Sequence, residues 1–196
     1  MARHPDETVG RTRRRTALKA AAALALVLAA AVLFLWSYLV QKNFDTVVPG
    51  KIYRSGQPGA AQLEEWIAKY RLRTIVVLKP TLRPYEQALA QKHGLNLHHI
   101  VVSTKKGLPE SQWQQIRQIV TDERNFPLLL HCHSGADKTG VVTALYRVEV
   151  QGWPLWRALA EMDLHGHIPF QYPALQRYLK DRFRPRPDEP LSAVHE

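Results

Sequence analysis

The chain has 196 residues, 45 % of them hydrophobic and 22 % charged, which is typical of one globular domain with tails. Its formal net charge of +10 favours anionic partners without choosing among phosphates, nucleic acid and lipid headgroups. Cys132 is the only cysteine, which excludes an internal disulfide and a multi-cysteine metal site. The histidines lack the spacing that indicates zinc, so we expect no metal and no cofactor.

The N-terminal region combines a basic tail, residues 1–19, with an apolar run, residues 20–40, that is interrupted only by Ser37. At a helical rise of ~1.5 Å per residue, such a run spans a hydrocarbon core of ~30 Å. No small-residue cleavage site follows it, so we expect one retained transmembrane helix that acts as a signal anchor. A cleaved signal peptide, including the twin-arginine type that Arg14-Arg15 resembles, is the alternative.

The charges on either side of this run predict its orientation. The basic tail precedes it, whereas only Lys42 lies just beyond it. The positive-inside rule then keeps the N-terminus in the cytoplasm and places the C-terminal domain across the membrane, which in a bacterium is the periplasm.

Strands and helices alternate along residues 41–184. Hydrophobic periodicity and turn residues predict a short strand after Pro49-Gly50, then helix Leu63–Tyr70, strand Thr74–Leu78, helix Pro84–Gly94, strand Leu95–Val102, helix Pro109–Glu123, strand Phe126–His131, and helices Thr139–Gln151, Pro154–Leu164 and Pro173–Phe183. This order predicts an α/β fold with a mostly parallel central sheet flanked by helices. Residues 185–196 are polar and rich in proline, and we predict that they are disordered.

The segment LLLHCHSGADKTG, Leu128 to Gly140, reads as a buried strand, a short loop and the start of a helix. A tight loop at the carboxyl end of a strand directs backbone N–H groups inward, and the helix N-terminus adds about half a positive charge. This environment suits a dianionic phosphate and favours the thiolate form of Cys132. Cys132 is therefore a candidate nucleophile.

His131, Cys132, Gly135 and Thr139 fall in order on a known signature: His-Cys, five residues, Arg, then Ser or Thr. The chain thus resembles the protein tyrosine and dual-specificity phosphatase superfamily. Residues 49–58 (PGKIYRSGQP) and 135–153 extend the likeness to the small bacterial dual-specificity-like phosphatases. The resemblance implies a phosphotyrosine-phosphatase-like fold and hydrolysis of phosphate monoesters through a phosphocysteine on Cys132.

The resemblance also implies roles for the neighbouring residues. His131 would orient the loop, Arg54 would support it from behind, and Thr139 would either donate its hydroxyl to the thiolate or cap the helix. The phosphate oxygens would be bound by the loop residues His133, Ser134, Gly135, Ala136, Asp137 and Lys138.

Two features depart from the pattern of the superfamily. Its Arg is Lys138 here, which keeps the charge but loses the planar fork that grips two phosphate oxygens. Residues 103–110 contain no Asp that could act as the general acid of a separate loop, and Glu110 is a weak substitute. Asp137 is the better candidate, because some lipid phosphatases of the myotubularin type carry an Asp just before the Arg. The predicted catalytic set is Cys132, Asp137 and Lys138.

Two other functions stay open. Lys138 allows a membrane-tethered phosphate-binding module with little turnover, and a rhodanese-like sulfurtransferase shares a cysteine loop at a strand–helix junction. For the phosphatase, the expected partners are a phosphorylated protein, lipid or small molecule and the membrane itself. Nucleic-acid binding rests only on net charge and is not expected, and the sequence does not determine the oligomeric state.

Overall fold

The structure, a computed structural model, describes residues 5–39 and 42–184. The predicted disordered tail at 185–196 and the first four residues of the basic tail lie outside this description. The chain divides into two compact units, with the boundary between residues 41 and 42.

The first unit contains one long helix, α1 (Pro5–Leu39). Its segment Arg15–Leu35 is long and apolar enough to cross a membrane, with a mean hydropathy of 2.5, and its side chains are exposed. A signal sequence near an N-terminus meets the same criterion. Because helix α1 begins before residue 20, most of the basic tail is helical as well.

The second unit is built on one sheet, whose five strands in the described residues follow the order β1-β2-β5-β3-β4. The strands are β1 (Asp45–Val48), β2 (Ile52–Ser55), β3 (Thr74–Val77), β4 (Asn96–His99) and β5 (Leu128–His131). β1 pairs with β2 antiparallel, and every other pair is parallel. The prediction of an α/β fold with a mostly parallel sheet is therefore confirmed.

Helices cover both faces of this sheet: α2 (Ala60–Tyr70), α3 (Pro84–His93), α4 (Glu110–Thr121), α5 (Asp137–Glu149), α6 (Leu155–Leu164) and α7 (Pro173–Arg182). Successive strand side chains point to opposite faces. Ile75 and Val77 of β3 accordingly pack with α2 and α3, whereas Val76 belongs to the larger core with α4 to α7.

The structure differs from the sequence prediction at several element boundaries and in one additional strand, β1. The sequence does not predict β1, because four residues with little apolar alternation give too short a signal; β1 forms a hairpin with β2 through Gly50 at φ +69°. Strand β4 is half as long as the predicted Leu95–Val102. Helix α5 begins at Asp137 rather than Thr139, since an aspartate is favourable in the first turn of a helix.

Candidate active site

Three parallel strands end side by side at one edge of the sheet. Ser55 of β2 and Val77 of β3 both lie in register with His131 of β5. The loop from Cys132 to Ala136 leaves β5 at this edge and leads directly into α5. The predicted strand, loop and helix are therefore present, and Cys132 stands where ligands bind in parallel α/β sheets.

Gly135 determines the tight curvature of this loop. Its φ is +76°, a conformation that favours glycine. A Cβ at this position would lie 2.6 Å from the Gly56 backbone nitrogen and 2.7 Å from the Ser55 carbonyl carbon. The loop backbone thus packs directly on the backbone that follows β2, with no space for a side chain between them.

Polar groups from other elements hold the loop from behind. Arg54 is buried and donates from Nη2 to the Gly135 carbonyl at 2.7 Å. The Gln57 N–H donates to the His133 carbonyl at 2.9 Å, and Asn43 Nδ2 donates to the Ser134 carbonyl at 3.1 Å. The outward carbonyls of the loop therefore have partners, which leaves its inner side to N–H groups.

Cys132 is buried, with 2 % of its surface exposed. Its Sγ accepts a hydrogen bond from the Gly135 N–H at 3.3 Å, an interaction that stabilises a thiolate. The Ala136 N–H donates to the Ser134 hydroxyl at 3.3 Å. Two of the predicted phosphate-binding N–H groups thus have partners inside the loop itself.

Thr139 lies inside helix α5 and not at its N-cap, which is Ala136. The helix-cap alternative for Thr139 is therefore wrong, because the helix starts two residues earlier than predicted. Its hydroxyl is buried and has no hydrogen-bond partner among the described residues. It remains available to a sulfur or an anion within the loop.

His131 contacts Glu86, a residue that the sequence analysis did not select. His131 Nε2 and Glu86 Oε1 are 3.0 Å apart, and both side chains are fully buried. Gln57 Nε2 and the Arg83 N–H donate to the same carboxylate at 2.8 and 2.7 Å. Burial acts to raise the pKa of Glu86, but the His131 ring and these donors outweigh it and lower the pKa to about 2.

Burial lowers the pKa of Arg54 to about 10, against the opposing influence of the Glu161 carboxylate and the Cys132 thiol. Its Nε and Nη1 have no hydrogen-bond partner among the described residues. Arg54 is therefore a buried cation close to Cys132, and two of its nitrogens remain able to donate hydrogen bonds.

Lys138 is half-buried in the first turn of α5, and a second lysine, Lys79, lies in the same electrostatic environment. Lys79 follows β3, is buried, and donates from Nζ to the Thr81 carbonyl. Burial lowers its pKa, while the charges of Glu86 and Cys132 act in the opposite direction. Lys79 could not be identified from the sequence, because a position at the end of a predicted strand does not show which residues lie near it.

The two candidate acids have different surroundings. Glu110, in the first turn of α4, pairs with Arg182 and accepts from Gln114, and these hydrogen bonds hold its pKa below the ordinary value. Glu110 therefore takes part in a contact between α4 and α7. Asp137 stands within the cysteine loop region at the start of α5, and one of its oxygens contacts His167 at 2.7 Å.

Comparison with known proteins agrees with this geometry. A family model described as "Tyrosine phosphatase family" matches residues 38–178. The dual specificity protein phosphatase TpbA of Pseudomonas aeruginosa PAO1 is 47 % identical over 117 residues, which cover 59 % of this chain and 50 % of TpbA. The inositol diphosphatase DSP2 of Oryza sativa subsp. japonica is 34 % identical over 118 residues, covering 58 % of this chain and 56 % of that protein.

Among solved structures, the core catalytic domain of the PP-IP phosphatase SIW14 from S. cerevisiae superposes with a TM-score of 0.63 and 27 % identity, covering 70 % of this chain and 83 % of that one. The structure of P. aeruginosa TpbA gives the same TM-score at 22 % identity and shares the fold. The chain spans between half and about three fifths of the length of these curated relatives.

Proposed function

The chain belongs to the tyrosine phosphatase family, and on this premise we propose that it is a cysteine-dependent phosphatase that hydrolyses phosphate monoesters. The observation that carries the proposal is the loop itself. A buried Cys132 thiol accepts the Gly135 N–H at the carboxyl edge of the sheet, directly before the N-terminus of helix α5. A dianion in this loop would meet backbone donors, the positive end of the helix and the Lys138 ammonium.

The proposed reaction has two steps. Cys132 Sγ attacks phosphorus, the S–P bond forms, and the bond to the leaving oxygen breaks while that oxygen takes a proton from the Asp137 carboxyl. Water then attacks the phosphocysteine, the S–P bond breaks, and the proton released by water returns to Asp137. Phosphate leaves, and thiolate and acid are restored.

Lys138 replaces the bidentate fork of the family with a single flexible point charge. Arg54 and Lys79 are buried cations, and Arg54 donates to the Gly135 carbonyl of the cysteine loop. Their positive charge supports the proposal, although neither side chain supplies a fork in place of Lys138. We therefore propose a slow phosphatase rather than an inert loop.

The substrate is proposed to be a phosphorylated protein, lipid or small molecule. Relatives are named as a dual specificity protein phosphatase and as inositol diphosphatases, which makes phosphotyrosine and inositol diphosphates the first compounds to test. Arg83, Lys105 and Lys106 are exposed and carry charge suited to an anionic substrate.

For the domain organisation, we propose a basic tail at 1–19, a membrane anchor at 20–40 and the phosphatase domain at 41–184. The apolar helix segment Arg15–Leu35, with exposed side chains, supports the anchor. The charge asymmetry supports a cytoplasmic N-terminus and a periplasmic phosphatase domain. Reporter fusions at the C-terminus test this orientation, and a cytoplasmic signal would overturn it.

The decisive experiment uses the full chain in detergent micelles and its Cys132→Ser variant. Both are assayed on p-nitrophenyl phosphate, a phosphotyrosine peptide, an inositol diphosphate and a phosphoinositide, with acid quenching to trap phosphoenzyme. We expect turnover by wild type, a trapped phosphocysteine, and loss of both in Cys132→Ser. Phosphate binding without turnover, not restored by Lys138→Arg, would establish a binding module instead. A persulfide on Cys132 after thiosulfate treatment would establish a sulfurtransferase.

A further inference from the structure

His167 is a buried histidine that takes no direct part in the two proposed reaction steps. It lies between α6 and α7, and none of its side-chain surface is exposed. Its Nδ1 is 2.7 Å from Oδ1 of Asp137, whose own side chain is 17 % exposed. One face of the Asp137 carboxylate is therefore fixed from the protein interior, and the rest of it reaches solvent.

The fold brings these two residues together by a close helix contact. Gly140, one turn into α5, packs against Met162 near the end of α6, and a Cβ at Gly140 would lie 2.8 Å from Met162 Cγ. The chain then reverses through Gly166 at φ +87°, and the His167 N–H donates to the Met162 carbonyl at 3.2 Å. His167 is thereby held beside the first turn of α5.

The neighbouring His165 has a different environment. Its Nδ1 lies 2.8 Å from the Glu161 carbonyl and its Nε2 lies 2.9 Å from Asp45 Oδ2, so it fastens the end of α6. His167 differs, because its partner is a proposed catalytic residue.

The surroundings of the His167 ring favour one tautomer. Nε2 is buried and has no hydrogen-bond partner among residues 42–184. A proton on Nε2 would leave a buried N–H donor without a hydrogen-bond partner. An unprotonated Nε2 at the same place costs less free energy. The proton is therefore assigned to Nδ1, from which it donates to Asp137 Oδ1.

We propose that His167 is a positioning residue for proton transfer by Asp137, an inference that rests on the proposed phosphatase function. With Oδ1 accepting from Nδ1–H, the acidic proton of Asp137 is placed on Oδ2, and this hydrogen bond restrains rotation of the side chain. Oδ2 delivers that proton to the leaving oxygen in the first step and takes one from water in the second. The Nδ1–H···Oδ1 bond persists through both steps, and it strengthens when the carboxylate forms.

The test compares leaving groups, because a merely structural residue would affect all substrates alike. In the full chain, His167→Leu removes the donor and keeps an apolar side chain, whereas His167→Asn retains an amide donor near the Nδ1 position. We expect His167→Leu to lower kcat/KM, which reports formation of the phosphocysteine and not its hydrolysis, about tenfold or more on alkyl phosphates. The change in kcat/KM on p-nitrophenyl phosphate should be less than about twofold, because its leaving group needs little protonation. His167→Asn should recover most of the loss.

Two further variants make the result specific. His165→Leu, in the same connection but without contact to Asp137, should leave the ratio of alkyl to aryl rates unchanged. In Asp137→Asn, adding His167→Leu should cause no additional loss on alkyl phosphates, since both changes remove one function. If His167→Leu does not fold, His167→Gln, which offers its donor at the Nε2 position, replaces it.

Equal losses on aryl and alkyl phosphates, or additive losses in the double variant, would overturn the proposal for His167 while wild-type turnover still supports the phosphatase. Absence of turnover by wild type on every substrate, or full activity of Cys132→Ser, would instead overturn the proposed function itself. The two failures are therefore distinguishable.

Discussion

The cysteine loop has two parts that are held in different ways. In the cysteine half, Cys132–Gly135, backbone carbonyls bind donors from β2 and its surroundings, and Gly135 packs directly against the backbone at Ser55 and Gly56. In the helix half, Ala136–Lys138, the side chains of Asp137 and Lys138 are the proposed acid and cation, and Asp137 is bound through His167. Lys138, which departs from the family signature, and Asp137, the proposed acid, both lie in the helix half.

This difference shows which features of the loop tolerate variation. The cysteine half is held by hydrogen bonds and close packing of its backbone. Its sequence is therefore constrained by the φ angles and by the space available next to β2. The helix half offers a cation and an acid at the ends of side chains, which change without disturbing the backbone. We infer that anion binding is the more robust property of this site and that turnover is the more variable one.

The largest effect on activity is expected from Gly135→Ala, which disrupts the close packing of the loop backbone against the backbone that follows β2. The new Cβ would lie 2.6 Å from the Gly56 nitrogen, so the loop must move away from β2. A displacement of about 1 Å at a reacting centre costs about a hundredfold in rate. We therefore expect kcat/KM on p-nitrophenyl phosphate to fall at least about a hundredfold, with phosphate binding weakened in parallel.

Gly152→Ala is the matched control for that variant. Gly152 has a similar φ of +68°, but a Cβ added there would have no neighbouring atom within 4 Å, so it shares the conformational strain without the contact. It should lose about 1 kcal/mol of stability and keep its activity within about twofold. Comparable activity losses in both variants would show that strain, and not the contact with β2, governs the loop.

Lys138→Arg tests the helix half by restoring the fork of the family. A charge-assisted, bidentate contact contributes about 1.5–3 kcal/mol, so we expect kcat/KM to rise about ten- to a hundredfold. Steady-state kinetics on p-nitrophenyl phosphate measure this, with Lys180→Arg on the exposed side of α7 as the control. An unchanged rate would mean that the loop has adapted to a point charge and that Lys138 does not limit turnover.

Much of this architecture could be predicted from the sequence, because its signals are local. The run TIVVL, the periodic apolar residues of α2 and α4, and the segment from Leu128 to Gly140 each carry their own pattern. The family signature places Cys132 in the loop without knowledge of any distant contact. Strand β1 escapes prediction for the opposite reason, since pairing with β2 defines it and its own four residues do not.

The residues that the sequence did not reveal all act across long separations. Glu86 meets His131 from α3, and His167 meets Asp137 from the connection after α6. No spacing rule joins such pairs, because the contact depends on how helices pack on the sheet. The loop could be predicted from the sequence, whereas its supporting side chains required the structure.

The smallest predicted effect is on stability and concerns the support behind the cysteine half. Glu86→Gln removes the carboxylate that faces His131, leaving a buried partner less well satisfied. We expect a loss of roughly 1–2 kcal/mol at pH 7, which lowers Tm by about 3–6 °C. Activity should fall by less than about tenfold, since the loop backbone keeps its contacts with β2.

The pH dependence of the difference in stability between wild type and Glu86→Gln gives the sharper test. The pKa of Glu86 in the folded protein is lowered to about 2 from an ordinary value of 4.5. Its contribution is therefore fully present above about pH 4.5 and is lost as the pH falls towards 2. Thermal unfolding of the two proteins should converge over that interval, whereas Glu65→Gln, an exposed carboxylate on α2, should match wild type throughout. A Tm difference that is constant from pH 7 to pH 3 would show that Glu86 acts by shape and not by charge, and that the cysteine half owes its rigidity to backbone contacts alone.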